Sequence, residues 1–171
     1  TPWHLLKVMD KDGHVLENFA PVAPTPAIDP RNAFIMSSLM RDVVRSGTAT
    51  RAMRLKRSDL AGKTGTTNEF VDAWFGGFQP TLVAVAWMGF DQPKTLGRNE
   101  TGGSAALPIW IDYMAVALKN APEESFNPPS GVVVMQIDPE TGARAGAGGG
   151  ISEYFFQEFP PPDHAAEAPG A

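Results

Sequence analysis

Lys63-Thr64-Gly65-Thr66-Thr67 concentrates an ammonium, several hydroxyls and a glycine in one short stretch. On an extended strand, Thr64 and Thr66 point to the same face. A lysine beside them supplies fixed positive charge, so the group can receive a carboxylate through charge-assisted hydrogen bonds. Gly65 allows a ligand or another chain to approach the backbone closely. Free N–H groups of such a strand can hold a peptide by edge addition or supply half of an oxyanion hole. Ordinary strand propensity is the plain alternative for the threonines. Gly62-Lys63-Thr64 also invites a phosphate-loop reading. That motif needs glycine at position 57, where Arg57 stands, and a helix after the Lys-Thr pair, where the sequence is strand-like.

The elements that must position this stretch follow from patterning. Leu5 to Met9 and His14 to Phe19 flank Asp10-Lys11-Asp12-Gly13, a hairpin signal. The proline-bearing segment from Ala20 to Pro30 reads as an extended connector. Asp29-Pro30 reads as an N-cap followed by proline in the first helical position. Met36, Leu39, Met40, Val43 and Val44 recur at helical spacing and read as a core stripe, with Gly47 as the stop. Arg51, Arg54, Lys56 and Arg57 read as a solvated connecting loop.

Leu60 to Thr67, Val71 to Phe78 and Thr81 to Phe90 are strand candidates in quick succession, and Gln79-Pro80 separates the last two closely enough for a hairpin, which favours antiparallel pairing. Ser104 to Lys119 predicts a helix with Pro108 near its first turn and Leu107, Trp110, Ile111, Met114 and Leu118 on one face. Val132 to Ile137 reads as one more strand, followed by a turn over Asp138 to Gly142. From Pro160 onward, Pro, Ala, Glu and Gly predict a tail unable to bury enough apolar surface to order itself.

The chain has 171 residues, 43% hydrophobic and 19% charged, with a net charge of -5. It is long enough for one core, has no apolar run of bilayer length, and lacks the basic field that nucleic acid or anionic lipid would require. There is no cysteine, so disulfides, thiolate zinc sites and a cysteine nucleophile are excluded. His4, His14 and His164 have no metal-ligand spacing, and no metal or cofactor is expected. No charged-then-apolar leader precedes Thr1, and the opening Trp3-His4-Leu5-Leu6 is already strand-like, so the sequence reads as the middle of a protein.

The text around the lysine is more specific than the motif itself. Ala61-Gly62-Lys63-Thr64-Gly65-Thr66-Thr67-Asn68, Asp72-Ala73-Trp74-Phe75-Gly76-Gly77-Phe78, and Val85 to Asp91 resemble the class A, bifunctional penicillin-binding proteins. Gly102-Gly103-Ser104-Ala105-Ala106-Leu107-Pro108-Ile109-Trp110, Gly47-Thr48-Ala49, Ile137-Asp138-Pro139 and Thr141-Gly142 agree. The resemblance runs from Trp3 to about Phe159 and is nearest the Gram-negative 1A type. It implies the penicillin-binding, β-lactamase-like α/β (α+β) fold, an antiparallel sheet flanked by helices, with the C-terminal part of a transpeptidase domain over residues 1–159 and the tail over 160–171.

By resemblance, Lys63 positions substrate and tunes proton transfer. The hydroxyls of Thr64 and Thr66 bind the carboxylate of D-Ala-D-Ala or of a β-lactam, the Thr66 N–H is an oxyanion donor, and Thr67 and Asn68 border the cleft. The implied activity is serine-type peptidoglycan cross-linking, at a periplasmic site tethered to the inner membrane through an N-terminal anchor. The family's Ser-x-x-Lys box is missing: none of Ser37, Ser38, Ser46, Ser58, Ser104, Ser125, Ser130 and Ser152 has lysine three residues on. Ser125-Phe126-Asn127 has the form of the second box but follows the lysine strand instead of preceding it. The isolated chain is therefore expected to be inactive, its open face completed by the missing N-terminal part of the domain or by self-association. A β-lactamase-like hydrolase and a non-catalytic partner-binding fragment remain the alternatives.

Overall fold

A computed structural model describes residues 5–19, 25–146 and 149–163. Trp3, His4, part of the proline-bearing connector, and His164 with the tail beyond it lie outside the described residues.

The first hairpin pairs β1 (Lys7–Met9) with β2 (Val15–Asn18). Its turn is closed by the Asp10 carboxylate, which accepts the Asp12 and His14 amides at 2.9 Å each. Helix α1 (Pro30–Arg45) starts as the sequence predicts: Asp29 accepts the Arg31 amide at 2.8 Å and proline occupies the first turn. The helix ends with Ser46 donating to the Asp42 carbonyl, and Gly47 follows, where a Cβ would lie 2.8 Å from Val43 Cα.

The apolar stripe of α1 needs correction. Phe34 and Val44 are buried, but Met36 and Leu39 are 57% and 52% exposed. Helical spacing identifies an apolar face without saying what covers it. The covered face meets the strand Ala61–Thr66 and the C-terminal hairpin. Phe34 stacks edge-on against Tyr154 at 4.9 Å, while Arg31 lies over the Phe156 ring and pairs with Asp29 and Glu158.

The central sheet is antiparallel in the order β3 (Ala61–Thr66), β4 (Ala73–Gln79), β5 (Leu82–Met88). It is entered through a 3-10 helix over Thr50–Leu55, where a connecting loop was expected. Alternation sends Ala73, Phe75 and Gly77 toward the core and Trp74 and Phe78 away from it. The helix after the sheet begins as a π-helical turn, Gly102–Ala106, and continues as α2 (Leu107–Ala117). Pro108 cannot donate a backbone hydrogen bond, which fits the irregular hydrogen bonding where the two meet.

All five residues assigned to the buried face of α2, namely Leu107, Trp110, Ile111, Met114 and Leu118, are buried. Trp110 packs edge-on to Phe75 at 5.0 Å and donates from Nε1 to the Ala84 carbonyl at 3.1 Å. Gly77 makes room for it, because a Cβ there would lie 2.7 Å from the indole. Burying side chains of this size is worth roughly 1.5–3 kcal/mol each.

The opposite face of the sheet is apolar and open: Trp74 and Trp87 pack together at 5.9 Å beside the exposed Val83 and Val85. A second hairpin joins β6 (Val132–Ile137) to β7 (Ile151–Phe156). The sequence reading missed β7, which follows a glycine–alanine run that gives no strand signal. Pro161, inside the expected tail, is buried, and the Pro162 carbonyl accepts the Arg144 amide at 2.9 Å.

Candidate functional site

Strand β3 pairs only with β4 among the described residues, so its other side is a sheet edge. The orientation of its amides follows from one bond beyond the strand, Thr67 N–H donating to the Asp72 carbonyl at 3.0 Å. Residues of an antiparallel pair alternate between facing the partner and facing away. Gly65 and Thr67 therefore direct their amides at β4, and Thr64 and Thr66 direct theirs at the open edge. The Lys63 ammonium agrees with this parity. It donates to the Thr64 carbonyl at 2.9 Å, a group the ladder leaves free.

The two faces of β3 differ. Thr64 and Thr66 lie on one face and line a cavity of about 520 Å³ with Thr48, Arg51, Thr101, Gly103 and Ser104. Thr48 and Thr64 share a hydrogen bond, Oγ1 to Oγ1, at 2.7 Å. The Thr66 hydroxyl oxygen accepts the Gly102 amide at 3.0 Å, which leaves its proton free to donate. Lys63 starts from the opposite face and reaches round to the edge, so it does not line that cavity. Thr67 serves the turn, its hydroxyl accepting the Asp72 amide at 2.8 Å, and Asn68 opens a short 3-10 turn to Phe70. Neither lines the cavity. The turn holds Glu69 and Phe70 in the left-handed region, at φ 59° and 57°.

The close approach expected at Gly65 is made by the chain itself. Gly102 sits against the Gly65–Trp74 pair so tightly that a Cβ would lie 2.2 Å from the Trp74 carbonyl oxygen and 2.5 Å from that of Gly65. Backbone cannot yield as a flexible side chain can. Gly102→Ala is expected to destabilise the domain by about 1–3 kcal/mol and to displace the cavity wall, measured as a shift in the urea midpoint. An unchanged midpoint would show that the turn relaxes freely.

The basic cluster before β3 is not a uniform solvated loop. Arg57 forms an ion pair with the fully buried Asp59 at 2.6 Å. It also donates to the carbonyls of Ala121 and Pro122, while the Glu124 amide donates to Asp59. Burial pushes the Asp59 carboxyl up, but the Arg57 guanidinium and the Glu124 amide outweigh it and hold the group below its ordinary value. This pair fastens the segment after α2 to the start of β3. Arg51 instead reaches the cavity.

The family model for the penicillin binding protein transpeptidase domain matches residues 2–115. The chain belongs to the penicillin-binding protein transpeptidase family. It is 51% identical over 153 residues to penicillin-binding protein 1A of Pseudomonas aeruginosa strain PAO1, an alignment covering 86% of this chain and 19% of that protein. It is 51% identical over 132 residues to penicillin-binding protein 1A of Neisseria lactamica, covering 74% of this chain and 16% of the relative. The crystal structure of penicillin-binding protein 1A from Haemophilus influenzae superposes with a TM-score of 0.81 at 31% identity, covering 94% of this chain and 30% of that one. The expected transpeptidase fold and the 1A resemblance are thus borne out, and the chain spans about a fifth or less of the length of these curated relatives.

Within this transpeptidase segment, sequence reasoning found the strand but not the far walls of its cavity. In the sequence, Thr48 and the Gly103–Ser104 pair stand out only as family text, and Thr101 and Arg51 carry no site signal. The signal available was the recurrence of that text on both sides of the lysine strand.

Proposed function

We propose that this chain forms one wall of the active site of a peptidoglycan D,D-transpeptidase, the wall that receives the donor's C-terminal carboxylate and carbonyl oxygen. The observation that carries the reading is the open edge of β3. There the Thr66 amide faces outward and the Lys63 ammonium reaches the edge from one face, while the Thr64 and Thr66 hydroxyls line a cavity on the other. The nucleophilic serine and its lysine base belong to a part of the protein outside this chain.

In this reading the serine attacks the penultimate D-Ala carbonyl of the donor stem peptide. Charge develops on the carbonyl oxygen, and the outward Thr66 N–H stabilises it as one of two oxyanion donors. Thr64 and Thr66 hydroxyls bind the terminal carboxylate, Lys63 positions substrate and tunes proton transfer, and Thr67 and Asn68 border the cleft at the end of the strand, outside the threonine-lined cavity. D-alanine leaves, and an amine of a neighbouring stem peptide takes the acyl group. A β-lactam follows the first half of this course and stalls as the acyl-enzyme.

The apolar face of Trp74, Trp87, Val83 and Val85 supports completion by the remainder of the domain, since a patch of this kind seeks a partner. No helix among the described residues is long and apolar enough to cross a membrane. The periplasmic, membrane-tethered placement is accordingly assigned to a segment elsewhere in the protein. The completed domain incubated with a stem pentapeptide and an amine acceptor should release D-alanine and form the cross-linked product. Rapid turnover of a β-lactam without cross-linking would favour a hydrolase instead.

A further inference from the structure

We infer that Arg51 determines specificity at this site, its guanidinium taking a free carboxylate on the donor or on a β-lactam together with the Thr64 and Thr66 hydroxyls; the inference rests on the transpeptidase reading above. The cavity beside β3 is lined by Thr48, Arg51, Thr64, Thr66, Thr101, Gly103 and Ser104, and Arg51 is its charged member. The other polar side chains there are neutral hydroxyls, several already engaged with one another. Thr48 and Thr64 share one hydrogen bond, and Thr101 and Ser104 cap each other at the start of the π-helical turn. Such a wall can orient an anion but supplies no charge to offset its desolvation. A guanidinium does, and its planar fork matches a carboxylate in two parallel hydrogen bonds.

Arg51 is also held ready for this work. Its neighbours Ala49 and Ala52 are fully buried, so the 3-10 turn bearing it is anchored in the core while its side chain reaches the cavity. Arg31, Arg45, Arg57 and Arg144 each have a carboxylate partner. Arg51 has none within ion-pair distance among the described residues, and its hydrogen bond to the Gly103 carbonyl is long, at 3.5 Å. Lys63 approaches the edge from the opposite face and is occupied by the Thr64 carbonyl. The two cations therefore flank the edge from different sides, and the one on the threonine face is Arg51.

The test compares benzylpenicillin with its uncharged methyl ester as acylating agents of the complete transpeptidase that contains this chain. Arg51→Ala is expected to lower the second-order acylation rate for benzylpenicillin at least about tenfold and to leave the rate for the ester nearly unchanged. Arg51→Lys should recover part of the loss, and Arg51→Gln, which retains bulk and hydrogen bonding, should not. A penicillin-to-ester ratio unchanged by Arg51→Ala and by Arg51→Gln overturns the inference, as does an equal loss for both compounds, which would mark a structural role. Absence of acylation in the unsubstituted protein would instead overturn the transpeptidase reading.

Discussion

Thr66→Pro in the completed domain is expected to slow acylation by a penicillin roughly 10²–10³-fold, the usual cost of removing one oxyanion donor. Proline deletes an N–H, and in most strand positions that would break the ladder. At Thr66 the amide faces the open edge, as fixed by the Thr67–Asp72 bond one residue on. Edge strands accept proline where the N–H points away from the sheet. The residue before proline is held in the β region, where Gly65 already lies. The side chain changes as well, so Thr66→Val is the control: it loses the hydroxyl and keeps the amide. The expected order is wild type, then Val, then Pro far below. Equal rates for Val and Pro would remove the Thr66 amide from the mechanism.

Asp59→Ala is expected to cost about 3 kcal/mol or more of domain stability, because breaking a buried pair strands the partner's charge. Arg57 would remain tied to the Ala121 and Pro122 carbonyls with no carboxylate beside it. Because the almost fully buried Leu60 leads directly into β3, which begins at the fully buried Ala61, the damage should reach the site strand. Replacing both partners together, Arg57→Met with Asp59→Leu, should cost less than Asp59→Ala alone. The pH dependence has a definite sign. The folded-state carboxyl of Asp59 titrates below its ordinary value of 3.8. Its stabilising contribution is therefore complete above that value and lost as pH falls through the lower folded-state one. Urea midpoints should show the gap between wild type and Asp59→Ala wide at pH 7 and narrowing under strongly acid conditions. A gap that is the same at both would deny the pair this role.

What could be read in the sequence was what local chemistry determines. The β3–β4–β5 meander was legible because β4 and β5 are short and apolar with only two residues between them, and β3 carries the lysine motif just ahead of them. The α2 face was legible because Leu107, Trp110, Ile111, Met114 and Leu118 obey one helical period and one surface covers them. Met36 and Leu39 obey a period too, but a period marks only an apolar face, and no described residue covers theirs. Arg57 looked like surface charge because its carbonyl partners lie 64 and 65 residues away. For Arg51 the difficulty was the same in kind. Its place in the site comes from the 3-10 turn and from Gly103, far along the chain, and the lysine strand carries no local sign of either. The edge strand itself was readable because its chemistry sits in consecutive residues.

The division of the active site between this chain and the rest of the protein is tested most directly by covalent labelling. Fluorescent penicillin should be applied to the isolated chain and to the complete domain, with intact-mass measurement of each. The expected result is an adduct of one penicillin on the complete domain, mapped to a serine outside these residues, and none on the isolated chain. An adduct on any residue of the isolated chain would contradict the account, because it would place a nucleophile on the wall assigned only to binding and oxyanion stabilisation.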